Sequence, residues 1–300
     1  SSSLSSSFAR ALQAAQDAAG AQQHPTHTLY VVATPIGNLA DIGLRALHVL
    51  GLADSLACED TRHTQQMLRA YGLERPALLA VHQHNEAEAA QAVIERLAQG
   101  QRVAYVSDAG TPAISDPGAR LVQAVRAAGF RVMPLPGASS VTTLLSAAGM
   151  TGDGFVFTGF LPSKNAEREQ AVQAIAQESR AVVLLEAPHR IAALGQALAV
   201  LGQRRVTVGR ELTKQFEQID TLSAEALPAW LAEKPEHQRG EFVLVVHDQP
   251  VTASSGEGER VLKCLLPELP LKTAVKLAAE ISGEPRNALY ERALALKQGN

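Results

Sequence analysis

The sequence predicts an α/β protein made of two consecutive α/β domains followed by a small helical tail, and three observations lead there. From Leu29 onward, short apolar runs rich in β-branched residues alternate with longer amphipathic stretches, the pattern of strands layered against helices. A second series of the same kind begins after Gly149, and a chain of 300 residues exceeds the roughly 250 at which a single core usually stops growing. Residues 249–259 are polar, contain Gly and Pro, lack periodicity and so read as a linker, after which the pattern is purely helical.

Residues 1–27, rich in Ser, Ala and Gln, come first and read as a mobile extension. Around Phe8 to Ala19 a weak helix without a convincing apolar face is expected, and the serine-rich opening does not resemble an export signal. In the first domain, residues 28–149, strands are expected at Leu29 to Ala33, Ser55 to Cys58, Leu78 to His82, Val103 to Ser107 and Val132 to Leu135. Between them, Ile42 to Leu50, Thr61 to Tyr71, Glu86 to Gln99 and Gly118 to Ala128 repeat apolar residues at helical spacing. In the second domain, residues 150–248, Phe155 to Phe160, Ala181 to Glu186, Arg205 to Arg210, Gln218 to Leu222 and Phe242 to His247 read as strands, with helices between most of them. In the tail, residues 260–300, Lys272 to Ile281 and Pro285 to Lys297 read as two helices joined by Ser-Gly-Glu, Pro285 suiting a first helical position. This spacing fits a helix-turn-helix. From Leu269 onward, however, five basic residues face three acidic ones, and plain helical hairpins are commoner than nucleic-acid readers.

Composition excludes several classes. Apolar residues make up 46% of the chain and charged residues 19%, which fits a folded protein. No apolar run reaches the roughly 18 residues a membrane-spanning helix needs. Cys58 and Cys264 lie far apart with no CxxC pair, so neither a disulfide framework nor a zinc site is indicated, and a reducing, cytoplasmic setting is the simplest reading. The formal charge of −3 is not that of a generally basic nucleic-acid binder, so any RNA contact must come from a local patch. The few aromatic residues, Trp230 among them, form no stacking stripe.

No GxGxxG follows the first strand, and no GxxxxGK[ST] occurs anywhere. Instead, three predicted strands end in loops crowded with small and polar residues, where open α/β sheets place their ligands. Ala33 to Ile42 contains Gly37, free to adopt backbone angles closed to other residues, and Asp41, suited to cap a helix. Ser107 to Gly118 packs two acids, two glycines and two prolines behind a strong strand. Pro134 to Ser140 leads into a helix whose free amides favour an anion such as a carboxylate. Any one of these is most simply a turn or cap; three in one domain point to a shared small-molecule site. His82 and His84 alternate at a strand end beside Glu86, but no third ligand has a metal-site spacing, so no metal is expected.

Thr34-Pro35-Ile36-Gly37-Asn38-Leu39, Ser107-Asp108-Ala109-Gly110-Thr111-Pro112 and Pro136-Gly137-Ala138-Ser139-Ser140 resemble the motifs of the tetrapyrrole-methylase superfamily. Its rRNA-methylating branch is resembled also by Cys58-Glu59-Asp60-Thr61-Arg62, His84-Asn85-Glu86, Gly159-Phe160-Leu161-Pro162, Glu186-Ala187-Pro188-His189-Arg190, Arg210-Glu211-Leu212-Thr213-Lys214 and Gly240-Glu241-Phe242, and the helical tail looks like the one appended there. These nine ordered motifs run from about Leu29 to His247. The resemblance implies two α/β domains with an S-adenosyl-L-methionine cleft between them, commonly in a homodimer, acting on the ribose 2'-hydroxyl of a cytidine at position 1402 of 16S rRNA in the small ribosomal subunit.

On that resemblance, cofactor contact is assigned to Pro35, Gly37, Asn38, Ser107, Asp108, Gly110, Thr111, Ile114, Ser139 and Ser140 from the first domain, and to Glu186, Ala187, Glu211 and Leu212 from the second. Arg62, Lys164, Arg190 and Lys214, cations beside these loops, are the candidate RNA contacts, with His189 placed near substrate. Glu59, Asp60 and Glu211 are candidate bases for a poorly nucleophilic hydroxyl. Two alternatives stay open: a precorrin C-methyltransferase on the same fold, and a non-catalytic RNA-binding or ribosome-assembly module.

Overall fold

The computed structural model describes residues 4–73, 76–82, 85–115, 118–152, 154–249 and 257–298. His84, Asp116, Pro117 and residues 250–256, which carry part of the two-histidine reading, of the second loop and of the linker, lie outside them. Two compact units are present: Ser1–Ala176 with Ala181–His247, and Gln177–Arg180 with Asp248–Asn300. Both sheets belong to the first.

In chain order the first unit opens with α1 (Leu4–Ala19), β1 (Thr28–Val32), α2 (Leu44–Leu52), β2 (Ser55–Cys58), α3 (Thr61–Tyr71), β3 (Ala77–Ala80), α4 (Glu86–Ala98), β4 (Arg102–Val106), α5 (Ala119–Ala127), β5 (Arg131–Leu135) and α6 (Ser140–Ala147). The strands form a parallel sheet in the order β3-β2-β4-β1-β5. Alternation divides each central strand between two cores. Tyr30, Val32, Ala104 and Val106 pack with α2 and α3, whereas Leu29, Val103 and Tyr105 pack with α4 and α5. The edge strand β3 stops two residues short of the predicted His82. The Asn85 amide donates to Ala80 O at 2.9 Å and accepts from His82 N at 2.8 Å, closing a turn there.

The second sheet comprises β6 (Phe155–Phe160), β7 (Ala181–Glu186), β8 (Arg205–Arg210), β9 (Gln218–Ser223) and β10 (Phe242–Val246), with α7 (Asn165–Gln177), α8 (Ile191–Leu198) and α9 (Leu227–Glu233) in the connections. Its order is β6-β7-β10-β8-β9; β6 and β7 are parallel, and the other pairs antiparallel. One face packs on α7, α8 and α9 through Val182, Leu184, Val208 and Leu244. The other, with Val183, Val243 and Val245, packs on Leu144 and Ala148 of the α6 region and on Ile36. The helix that follows the last strand of the first sheet therefore covers the second.

The expectation of a mobile extension is corrected by α1. Ala15 and Ala19 are each 1% exposed, and Phe8, Ala11 and Leu12 pack on the core shared with α2 and α3. Phe8 meets the Tyr71 ring edge-on, with centroids 5.0 Å apart. Positions 8, 11, 12, 15 and 19 form a helical stripe, but one made largely of alanine in a segment where alanine is common on every face, so the sequence hides it.

In the second unit α10 (Glu257–Leu265), α11 (Leu271–Ser282) and α12 (Arg286–Gln298) enclose Leu262, Val275, Ala278, Leu289 and Ala293. The helical pair expected in the tail is α11 and α12, with Gly283 at φ 70° in their turn. The buried Glu284 carboxylate accepts from Gly258 N at 2.8 Å and from Arg292 Nη1 at 2.5 Å, fastening α10 to that turn.

If α1 is packed as described, Ala15→Arg forces a charged, bulky side chain into filled space and lowers the unfolding free energy by about 2 kcal/mol or more. Ala14→Arg, on the exposed face of the same helix, leaves it within about 0.5 kcal/mol. Urea titration of both variants checks this; equal midpoints would mean that α1 is not packed.

Candidate active site

Neighbouring positions of β4, β1 and β5 bring the loops at their C-terminal ends together, as expected for the ligand edge of an open parallel sheet. The three loops are fastened to one another. Thr34 and Gly110 exchange backbone hydrogen bonds, Thr34 N to Gly110 O at 2.9 Å and Gly110 N to Thr34 O at 3.0 Å. Thr111 Oγ1 donates to Ala138 O at 3.0 Å. Gly137 lies so close to Ala33 that a Cβ built on it would stand 2.8 Å from the Ala33 side chain. Gly110 holds φ 80°, open to glycine without strain.

The second sheet supplies the facing wall. Because β10 runs antiparallel to β7 and β8, its first residue Phe242 pairs with both Glu186 and Arg210, the last residues of those strands. Strand ends and a strand start thus meet at one edge. Between the two walls is a cavity of about 370 Å³ lined by Ile36, Ala109, Gly110, Thr111, Ile114, Ser115, Ser139, Ser140 and Val141 on one side and Phe160, Leu185, Glu186, Ala187, Pro188, Leu212, Glu241, Phe242 and Val243 on the other. This size suits a nucleoside-sized ligand.

Its polar groups are few and placed. Ser139 is the N-cap of α6 and Ser140 its first residue, so the helix presents free N–H groups to the cavity. Glu186, 3% exposed, accepts from Ala187 N at 2.9 Å and has Arg190 Nε 3.1 Å from the same oxygen, Oε1. Its Oε2 is buried with no hydrogen-bond partner among the described residues. Arg190 Nη2 in turn donates to Leu161 O.

Of the residues proposed for the cofactor, Gly110, Thr111, Ile114, Ser139, Ser140, Glu186, Ala187 and Leu212 line this cavity; Pro35, Gly37, Asn38, Ser107, Asp108 and Glu211 do not. Three of the latter hold loops instead. Asn38 Oδ1 accepts from Ala40 N at 3.1 Å, Ser107 Oγ donates to Ala109 O at 3.2 Å, and Asp108 Oδ1 accepts from Asp60 N at 3.0 Å. Gly37 lies against Lys214, whose Cγ a Cβ would approach to 2.5 Å. Phe160, Glu241 and Phe242 fall in quoted motifs that were given no role. Glu241 and Phe242 owe their place to β10 slotting between β7 and β8, and Phe160 to a register shift in the β6–β7 pairing, neither of which a local pattern announces.

The charged candidates separate into two groups. Arg62 is 93% exposed in its side chain, and Lys164 is exposed beside Glu167 at 3.1 Å. Lys214 instead sits 2.9 Å from both Glu211 and Glu241, and Arg190 is held on Glu186. Among the carboxylates, Asp60 caps α3, and the N–H groups of Arg62 and His63 hold its pKa below the usual carboxylate range. Glu211, at φ 50°, is pushed up by burial but more strongly down by Lys214 and the Glu241 N–H, so its net shift is downward. Lys214 is raised, its two carboxylates outweighing burial. Glu59 is half-buried at the end of β2. Glu86, buried, accepts from Gly118 N at 2.9 Å and Arg120 N at 3.2 Å, steadying the start of α5. Among the described residues no three His, Cys, Asp or Glu cluster as metal ligands do. Trp230 stacks on the buried His237 at 4.0 Å and so is occupied within the second sheet's helical cover.

The family profile of the Tetrapyrrole (Corrin/Porphyrin) Methylases matches residues 28–228, and that of the RsmI C-terminal HTH domain matches residues 252–297. The chain is 45% identical over 276 residues to the ribosomal RNA small subunit methyltransferase I of Haemophilus influenzae, covering 90% of this chain and 97% of that protein. With the protein of the same name from Pseudomonas aeruginosa it is 47% identical, covering 89% and 96%. Among solved structures, the methyltransferase CobJ superposes with a TM-score of 0.55 at 18% identity, covering 74% of this chain and 93% of that one, which establishes likeness of fold.

The Glu211–Lys214 pair predicts a pH dependence. A lowered Glu211 stabilises the fold above its unfolded value near 4.3, and that contribution disappears as pH falls through the lower folded value. A raised Lys214 contributes below its unfolded value near 10.4, a contribution lost as pH rises through the higher folded one. The stability gap between wild type and Glu211→Gln, on the order of 1 kcal/mol, is therefore flat from about pH 6 to 9 and closes in acid. Denaturant titrations across pH measure it, and a gap that persists at pH 3 would contradict the pairing.

Proposed function

Because the chain belongs to the tetrapyrrole methylase family, and to the part of it that carries the RsmI C-terminal domain, we propose that it is an RsmI-type 16S rRNA methyltransferase that uses S-adenosyl-L-methionine to methylate the ribose 2'-hydroxyl of a cytidine, position 1402, in the small ribosomal subunit. The observation that carries this reading is 45% identity along 97% of a relative bearing the rRNA methyltransferase name, tail included. The protein is proposed to work in the cytoplasm as a homodimer; among the described residues no helix is long and apolar enough to cross a membrane.

The cavity fits the cofactor's chemistry. The N–H groups at the start of α6 with Ser139 and Ser140 suit its carboxylate, and the buried, unpartnered Glu186 Oε2 suits one of its donors. S-adenosylmethionine supplies a methyl group made electrophilic by a sulfonium sulfur. The chain supplies alignment and dryness: Ile36, Val141, Leu185, Leu212 and Val243 keep water out of the cavity, and the fastened loops fix the direction of approach. Asp60 and Glu211 are poor proton acceptors, since their neighbours favour the ionised form. Glu59, half-buried behind β2, stays a candidate for taking the hydroxyl proton. Arg62 and Lys164, exposed, suit phosphate contacts, whereas Arg190 and Lys214 act by holding the carboxylates of the cavity wall.

Incubation with methyl-labelled S-adenosylmethionine and undermodified small subunits should label 2'-O-methylcytidine. Label appearing in a precorrin instead, or in neither acceptor, would overturn the reading. Arg62→Glu and Lys164→Glu should each weaken subunit binding about tenfold and reduce its salt dependence, with S-adenosylhomocysteine affinity unchanged by calorimetry.

A further inference from the structure

Phe160 is a large apolar side chain in an unusual place. It lines the cavity and is nevertheless 52% exposed, as is Ile114 at 53% on the facing wall. Two such residues on one cavity form an apolar rim open to solvent, the kind of exposed apolar surface that marks a binding site.

The backbone aims Phe160 there. Strand β6 pairs with β7 in register at Phe157↔Val183, then slips so that Gly159 faces Leu184 and Phe160 faces Leu185. Thr158 is the extra residue of this bulge, and Gly159 holds φ 67°. Without the bulge, Phe160 would pair with Glu186 and emerge from the other face of the sheet; with it, the ring stands beside Leu185 of the cavity wall. The next residue is anchored as well, because Leu161 O accepts from Arg190, whose guanidinium rests on Glu186. Across the cavity, Ala113 has φ 65°, a left-handed conformation that costs a non-glycine residue energy, and Ile114 follows it outward into the rim.

We propose that Phe160, with Ile114 opposite, is the platform on which the base of the acceptor nucleotide stacks, setting its ribose at the cavity mouth. This rests on the RNA methyltransferase reading above. A nucleobase removed from its stack needs a flat apolar partner, and proteins that recognise unpaired RNA bases supply it with an exposed aromatic ring. Lys164, exposed four residues beyond Phe160, places a cation where the adjoining phosphates would run.

The test compares wild type, Phe160→Ala, Phe160→Trp and Ile114→Ala for S-adenosylhomocysteine binding by calorimetry and for steady-state methylation of undermodified small subunits. Phe160→Ala should lower kcat/KM for subunits about tenfold or more while S-adenosylhomocysteine affinity stays within twofold, and Phe160→Trp should restore most of the loss. Ile114→Ala should lower kcat/KM for subunits by less than Phe160→Ala does. If Phe160→Ala weakens S-adenosylhomocysteine instead, the ring belongs to the cofactor; if it changes neither quantity, or Trp fails to rescue, the stacking platform is wrong. A wild-type protein that binds S-adenosylhomocysteine but leaves subunits unmethylated sinks the RNA reading, and the platform with it, whereas an active wild type with an indifferent Phe160→Ala sinks the platform alone.

Discussion

The exchange of two backbone hydrogen bonds between Thr34 and Gly110 is the constraint on which the rest of the site depends. It extends the β1 and β4 pairing beyond the end of the sheet by a single antiparallel bridge, so two loops that would otherwise diverge remain side by side. Thr111 then reaches the third loop at Ala138, and Ile36 is delivered to the apolar cluster beneath the second sheet. One small linkage thereby sets the position of the α6 N-terminus and of the wall it faces.

The second sheet answers with a different device. A strand inserted antiparallel between β7 and β8 brings three chain segments to one edge: the end of β7, the end of β8 and the start of β10. Lys214 then stands between the Glu211 and Glu241 carboxylates with its aliphatic stem on Gly37. A charged group so enclosed is restricted in motion, and the loops it joins come from both sheets. Fixed geometry of this kind is what an in-line displacement requires, since most of its acceleration comes from alignment.

What was legible in the sequence is what local chemistry dictates. The strands announce themselves by β-branched runs such as Val103 to Val106, and the first-sheet loops by glycine and proline immediately behind those runs, so their convergence follows from one topological rule. The packing of α1 was hidden because alanine, the residue that lets it lie close, carries almost no amphipathic signal. Pro35, Gly37 and Asn38 are assigned as cofactor contacts on the motif resemblance; in the fold it is Ile36 of this stretch that lines the cavity, while Asn38 turns the backbone and Gly37 gives room to Lys214. Phe160 and Phe242 owe their places to a bulge and to a non-local strand pairing, and neither leaves a mark on the few residues around it.

Tyr71 links two regions that the sequence would keep apart. Its ring is packed edge-on by Phe8 of α1, and its hydroxyl donates to Leu39 O at 2.7 Å, in the loop that follows β1. A hydrogen bond shielded by a neighbouring ring is stronger than one open to water, so the N-terminal helix acts as a raincoat for a bond belonging to the site's first loop. A chain shortened to begin at β1 would keep every residue of the cavity, yet that loop would be hinged on a wetter, weaker tether, and its amides would exchange with solvent faster although nothing in the loop itself had changed.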